Sequence, residues 1–412
     1  MTRLRTTVGT TVLLALVANS CSSNAYGRTY ATAPKGTTAA TEPTSPTRAS
    51  PTGTSTTEFV TPSSLPLDTL VLPIPDGAAA VGVTNSGFPD TEVFYPALAG
   101  SGHGRHVYIR AMWATAASLD PAQLNRVRSY AQLDATPEPT TTARPVVVLM
   151  PGWRSLIAFS TSLAEELASH GYVVLAMQSD VATETSHPNS TPEDRASRAA
   201  ALRRLLAFMR GPSLHTLVGP IDLRRVAVGG HSYAGSIAFD ANLTDRRIAA
   251  VFDLDGSMRS VATRPSPTVP ALVVVTVSDA VSSDPLLGPF VARSPNIVAL
   301  GVLNALHMDL TDATVLPGIL GTSVFAPLVG TIGAVGITDT STIVLRFLDV
   351  ALGANAHTPS SDELARGLPS VTNEPFPPIP PATQPTTQPT TQPTTQPTTQ
   401  PSAPLLESTP VS

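Results

Sequence analysis

The sequence predicts an α/β fold: a mainly parallel central sheet with helices on both faces. Three observations carry this. Short, wholly apolar runs such as Val146–Met150 and Tyr172–Met177 have the length and β-branched content of strands buried on both faces. Helical stretches with start and stop signals lie between them. Apolar residues make up 42% of the 412-residue chain, enough for a large core, while charged residues make up only 13%.

The elements follow in order. Thr91–Tyr95 and His106–Met112 read as an antiparallel edge ahead of the parallel strands. Val146–Met150 ends at Pro151-Gly152, a turn signal. Ser162–Ser169 is expected as a helix, with a capping-box pattern at Ser162 and Glu165 and a stop at Gly171. Thr191-Pro192-Glu193-Asp194 opens a long helix running to Arg210: Thr191 can cap, proline suits the first turn, and the acids favour the positive end of the helix dipole. Val226–Gly229, Ile248–Phe252, Leu272–Val277 and Ile297–Val302 are further strands, and Ser341–Leu352 a closing helix. Ala313–Ile337 is uncharged and rich in glycine, proline and small apolar residues; it reads as a packed crossover or as the lining or lid of an acyl pocket.

The ends differ in kind. Residues 1–21 combine a basic start, an apolar run from Val12 to Val17 and small residues before Cys21, the pattern of a secretory signal peptide. The run is too short to span a membrane. Ala18-Asn19-Ser20-Cys21 resembles a bacterial lipobox, with alanine where leucine is usual. Two outcomes follow from it: acylation of Cys21, tethering the protein to the outer face of a membrane, or plain secretory cleavage. Cys21 is the one cysteine, so no intramolecular disulfide exists. Residues 22–66 are a Thr/Pro/Ser-rich stalk that cannot bury enough apolar surface to order itself. The folded domain is expected over 67–360, and 361–412 as a disordered tail whose T-Q-P-T repeats bar helix and sheet. A net charge of −5 and the absence of a basic stripe exclude nucleic acid as a partner.

The chemistry concentrates at Val226-Ala-Val-Gly-Gly-His-Ser-Tyr-Ala-Gly235. A strand runs into Gly230-His231-Ser232 and a small-residue helix follows, the nucleophile-elbow arrangement of the α/β-hydrolase fold, with Ala234 at the second glycine position of G-x-S-x-G. The elbow would raise the Ser232 hydroxyl above the sheet. Its base must follow the last central strand, and His307 is the histidine so placed. The acid is Asp255 or Asp279, which follow successive strands; Asp253 is expected at a strand end. Backbone amides of Tyr233 and of Trp153, in the loop after Val146–Met150, would form the oxyanion hole. No cluster of metal-ligating residues calls for a metal, and no cofactor is expected.

These segments together resemble the platelet-activating-factor acetylhydrolase type of α/β-hydrolase. Thr91-Glu-Val-Phe-Tyr-Pro96, Pro145–Trp153 with Leu167–Val174, Gly230-His-Ser-Tyr233, Asp253-Leu-Asp-Gly-Ser-Met258 and Leu306-His-Met-Asp-Leu-Thr-Asp312 match its motifs in order, over about residues 90–350. The resemblance implies a serine esterase acting on short- to medium-chain or lipid-like esters. It also implies an acid about 23 residues after the serine, where Asp255 stands. Pro270–Asp279 is similar instead to the acid strand of cutinase and dienelactone-hydrolase-like enzymes, which keeps Asp279 and a polyesterase in view. Pro151 and Ala234, both departures from the usual motifs, support a different class of reading: a non-enzymatic surface lipoprotein that uses a degenerate hydrolase domain for binding.

Overall fold

The computed structural model describes residues 70–116, 120–178, 191–256, 265–277, 286–317 and 328–376. Cys21, His187, Asp279, the stalk and the T-Q-P-T repeats lie outside the described residues. The strands are β1 (Leu70–Val71), β2 (Ala80–Asn85), β3 (Thr91–Ala97), β4 (Arg105–Val107), β5 (Val127–Leu133), β6 (Arg144–Met150), β7 (Val173–Met177), β8 (Ile221–His231), β9 (Ala250–Leu254), β10 (Ala271–Thr276), β11 (Ile297–Val302) and β12 (Val371–Thr372). They form one sheet in the order β1-β5-β2-β3-β7-β6-β8-β9-β10-β11-β12, with β4 paired to β5. From β7 through β11 every pairing is parallel, while β2–β3, β3–β7 and β11–β12 are antiparallel.

Helices cover both faces, as a parallel sheet requires. In chain order they are α1 (Ala111–Ala116), α2 (Pro121–Leu124), α3 (Thr161–Ser169), α4 (Pro192–Phe208), α5 (Pro212–Val218), α6 (Tyr233–Asn242), α7 (Leu287–Ala292), α8 (Ala334–Ala351) and α9 (Ser361–Ala365). Alternate residues of β6 divide between two cores. Val147 and Leu149 pack in the cluster that holds Leu163 and Leu167 of α3 and Phe347 and Leu348 of α8. Val146, Val148 and Met150 pack with Leu202 and Leu205 of α4 and Ile237 of α6. The period-2 alternation of a strand thus feeds two hydrophobic layers, which is why Val146–Met150 contains no polar residue.

Several expectations are corrected by tertiary contacts. His106–Met112 is not one edge strand: β4 stops at Val107 and residues from Ala111 are helical. The capping box at Ser162 does not form. Ser160 holds the cap position, and Glu165 turns inward to accept hydrogen bonds from Ser129 Oγ and the Tyr130 and Ala131 amides. Those three donors on β5 offer the buried carboxylate more than a helix terminus would. The Thr191 box does form, with Thr191 and Asp194 bonding each other's amides. Asp253 lies within β9 and is fully buried. Ordered elements continue past 360: α9 is capped by Ser360, and β12 pairs with β11 through Gly301–Thr372 and Val302–Val371. Among the described residues no helix is long and apolar enough to cross a membrane.

Candidate active site

The site forms at the carboxyl ends of β6, β8, β9 and β11, where loops from neighbouring parallel strands converge. β8 ends at His231 and α6 begins at Tyr233, so the whole reversal falls on Ser232, which adopts φ 59° and ψ −124°. This backbone is unfavourable for an L residue and persists where its surroundings fix it. The Ser232 amide donates to the Leu254 carbonyl at 2.8 Å, and the Gly235 amide to the Ser232 carbonyl at 3.1 Å. Glycine is required on both sides of the turn. At Gly230 (φ 150°) a Cβ would lie 2.1 Å from the Met150 carbonyl oxygen; at Gly235 it would lie 1.6 Å from Asp253 Oδ1. Ala234 is fully buried yet accommodated, because its methyl faces Gly230 and the tight approach to β9 occurs one residue later.

Asp255 follows β9 at φ 57°. Its Oδ1 accepts the Thr276 amide at 2.7 Å and its Oδ2 lies 2.7 Å from His307 Nδ1. His307 opens a 3-10 turn after β11, and its Nε2 lies 3.0 Å from Ser232 Oγ. The structure therefore brings Ser232, His307 and Asp255 into one hydrogen-bonded chain, with Nδ1 facing the Asp255 carboxyl and Nε2 facing the serine hydroxyl. All three are buried, and Ser232 is the most accessible of them at 8% exposure.

Three further residues hold this chain in place. Asp309 Oδ2 accepts the Leu306 and Gly330 amides, both at 2.7 Å, and its Oδ1 accepts Thr314 Oγ1 at 2.5 Å, fixing the His307 turn. His231 Nε2 lies 2.7 Å from the His307 carbonyl oxygen, which can only accept, so this nitrogen carries the proton. Burial, reinforced by the His307 ring beside it, holds His231 well below the usual histidine range, and it stays neutral. Burial likewise keeps Asp253 well above the usual carboxylate range, with the Asp255 charge adding to it.

The loop after β6 passes beside Ser232. A Cβ on Gly152 would lie 3.1 Å from Ser232 Cβ. Gly152, Trp153, Ser155, His231, Ser232, His307 and Met308 line a cleft of about 10 Å³, room for little more than one water. The Trp153 and Tyr233 rings meet edge to face with centroids 5.6 Å apart. Two buried side chains grip the loop. Arg198 of α4 donates to the Pro151 carbonyl at 2.6 Å and the Gly152 carbonyl at 3.0 Å. Gln178 accepts the Ile157 amide at 2.8 Å and donates to the Ser155 carbonyl at 3.2 Å. Sequence reasoning missed both. The available signal was Arg198 itself: it stands four residues before Leu202, on the apolar face of α4.

Among the described residues, Asp76, Glu166 and His170 form the group of three acidic or histidine side chains close enough to share an ion. Asp76 Oδ1 lies 3.3 Å from His170 Nε2 and Glu166 Oε1 lies 3.4 Å from its Nδ1, at the end of α3, and none of the three belongs to the Ser232–His307–Asp255 chain. A wider groove of about 980 Å³, lined by Phe88, Arg110, Phe208 and Leu217 among others, contains none of the Ser232 cleft residues.

Residues 134–288 match the family model described as PETase, PET hydrolase-like. "Cutinase est2" of Thermobifida alba is 28% identical over 142 residues, which are 33% of this chain and 42% of that protein, so the chain spans less than half the length of this relative. The structure of a ferulic acid esterase from Streptomyces cinnamoneus superposes with a TM-score of 0.59 at 24% identity, over 74% of this chain and 99% of that one. The chain has the α/β-hydrolase fold. The family match falls on the cutinase-like side of the two resemblances in the sequence, not on the acetylhydrolase side, although the acid that meets His307 is the one the acetylhydrolase spacing implies.

Proposed function

We propose that this protein is a serine carboxylic-ester hydrolase in which Ser232 is the nucleophile, His307 the general base and Asp255 the acid. The observation that carries the reading is the continuous chain Asp255 Oδ2–His307 Nδ1 at 2.7 Å and His307 Nε2–Ser232 Oγ at 3.0 Å. In this reading Ser232 Oγ attacks the ester carbonyl while Nε2 takes its proton. Asp255 holds the imidazole in the tautomer that leaves Nε2 free and stabilises the imidazolium that forms. The amides of Tyr233 and Trp153 receive the negative charge on the carbonyl oxygen. His307 returns the proton to the leaving alcohol, and water releases the acyl group by the same steps.

The substrate reading is short- to medium-chain acyl esters, including lipid-like ones. The match to the PET hydrolase-like model and to a cutinase favours polyester chains as a second class, since such substrates present small ester units one at a time. Fluorophosphonate labelling of the full chain tests the reaction. Labelling at Ser232 that disappears in Ser232→Ala supports the assignment; a wild type that is neither labelled nor active on p-nitrophenyl esters refutes it in favour of a binding role. A series of p-nitrophenyl esters of increasing acyl length, set beside a suspended polyester, ranks the substrates.

The proposal extends to location. The leader ending at Cys21 directs the protein to the cell envelope, with acylation of Cys21 anchoring it at a membrane surface through the stalk.

A further inference from the structure

The two grips on the loop after β6 are unequal in chemistry. Gln178 bonds backbone groups of Ser155 and Ile157, beyond the residue that faces the nucleophile. Arg198 bonds the carbonyls of Pro151 and Gly152, which immediately precede it. Arg198 is only 5% exposed, and the two nitrogens of its guanidinium fork each hold one of these adjacent carbonyls. Its guanidinium also lies over the Tyr233 ring, 5.0 Å from the centroid, and Arg195 lies at the same distance from that ring.

Peptide geometry gives these contacts a consequence. The Gly152 carbonyl and the Trp153 N–H belong to one planar unit, and no cis peptide bond occurs among the described residues. In a trans peptide the two groups point in opposite directions. A guanidinium that draws the Gly152 oxygen toward α4 therefore turns the Trp153 N–H away from α4. A Cβ added at Gly152 would meet Ser232 Cβ at 3.1 Å and the His231 carbonyl oxygen at 3.4 Å, so this peptide runs directly beside Ser232. The Ser155 amide, which donates to the same Gly152 oxygen at 3.2 Å, closes the turn and gives that oxygen a second reason to stay where it is.

We infer that Arg198 is a positioning residue for the oxyanion hole: by holding the Pro151 and Gly152 carbonyls and packing on Tyr233, it fixes the direction of the Trp153 N–H and the seat of the Tyr233 N–H. This deepens the proposed esterase reading and rests on it. A hole whose donors are fixed before the reaction stabilises developing charge without reorganising. Without Arg198 the 152–153 peptide could rotate, and the Gly152 oxygen, a second partial negative charge, would face the oxyanion. The loss would fall on the transition state and spare substrate binding, which the cleft walls provide.

The test uses the full chain with Arg198→Gln, which keeps a donor but not the fork, and Arg198→Lys, which keeps the charge but reaches one carbonyl. Melting curves establish that each is folded. Steady-state kinetics on a p-nitrophenyl ester and on the matching thionoester, whose sulfur is a poor acceptor in the hole, give the readout. Removing one oxyanion donor typically costs about 10²–10³-fold in kcat. We expect a fall of that order or slightly less in Arg198→Gln, a smaller one in Arg198→Lys, KM within about twofold, and a reduced preference for the ester over the thionoester. The inference is overturned by a folded variant with wild-type kcat, by a loss confined to KM, by unchanged thionoester discrimination, or by activity that only tracks the fraction folded in both variants. A wild type inert toward the ester and the fluorophosphonate would overturn the esterase reading and this inference together; an active wild type with unaffected variants overturns this one alone.

Discussion

Ser232 and Asp255 both occupy positive-φ backbone, at 59° and 57°, although neither is glycine. Each sits in the residue after a strand and aims a side chain at the same imidazole. The strain is offset by backbone bonds that leave little choice: Ser232 N to Leu254 O, and Asp255 N to Val274 O at 2.6 Å. Substitutions that keep these backbones should therefore fold, which makes the chemistry testable residue by residue. Ser232→Ala should melt as the wild type does and lose activity by several orders of magnitude in kcat. Asp255→Asn should also fold, because Oδ1 can still accept the Thr276 amide. Its NH₂ would meet Nδ1, forcing the proton onto Nε2, where it blocks transfer from Ser232. A fall in kcat of up to about 10⁴-fold is expected, as for other amidated triad acids. Asp279→Asn should be much milder, and comparing kcat for the two variants decides the acid: the reverse ranking moves it to Asp279.

At the scale of elements, the His307 turn is tied down by two carboxylates with different jobs. Asp309 satisfies two amides and a hydroxyl within its own segment, so Asp309→Ala would leave buried donors unpaired, with an expected destabilisation of at least about 2 kcal/mol by urea unfolding. Asp312 reaches the first turn of α3, where Ser162 N donates to its Oδ2 at 3.1 Å. Burial dominates there and pushes the Asp312 carboxyl up to about 8 from 3.8; bonds from Ser162 oppose the rise and the neighbouring Glu165 charge adds to it. The folded state thus keeps a proton that the unfolded chain releases near pH 4. By linkage, this group makes stability fall as pH rises from about 4 to 8. Asp312→Asn is permanently neutral, so its melting temperature should decline less over pH 5–8 than that of the wild type. Parallel curves would mean that Asp312 is ionised throughout.

At the scale of the whole molecule, the edge beyond β11 sets where the folded unit ends. Leu303 N donates to Ser370 O, Arg346 donates to the Leu364 and Arg366 carbonyls, and Phe376 packs near Gly288. A chain cut to residues 67–376 should melt and hydrolyse soluble esters like the full chain, whereas one cut to 67–365 loses β12 and should melt lower. Equal melting of the two would show that β12 adds nothing. Mass spectrometry of the mature amino terminus tests the other end: an acylated Cys21 is expected, and an unmodified peptide starting elsewhere means plain secretion.

The sequence by itself determined what is encoded within about ten neighbouring residues. The apolar runs that became β6 to β11, the Thr191 cap, and the strand–turn–helix around Ser232 rest on local sterics, so the fold class and the candidate serine could be read directly. Chain order also singled out His307. Local pattern did not choose between Asp255 and Asp279, which follow adjacent strands; the family spacing pointed to Asp255, and the structure is what places its Oδ2 2.7 Å from His307 Nδ1. It also decided that Glu165 turns inward instead of capping α3, that β12 (Val371–Thr372) extends the sheet past residue 360, and that Arg198 reaches the loop 46 residues before it. Each of these depends on what a distant segment places within hydrogen-bond distance, and no local pattern carries that information.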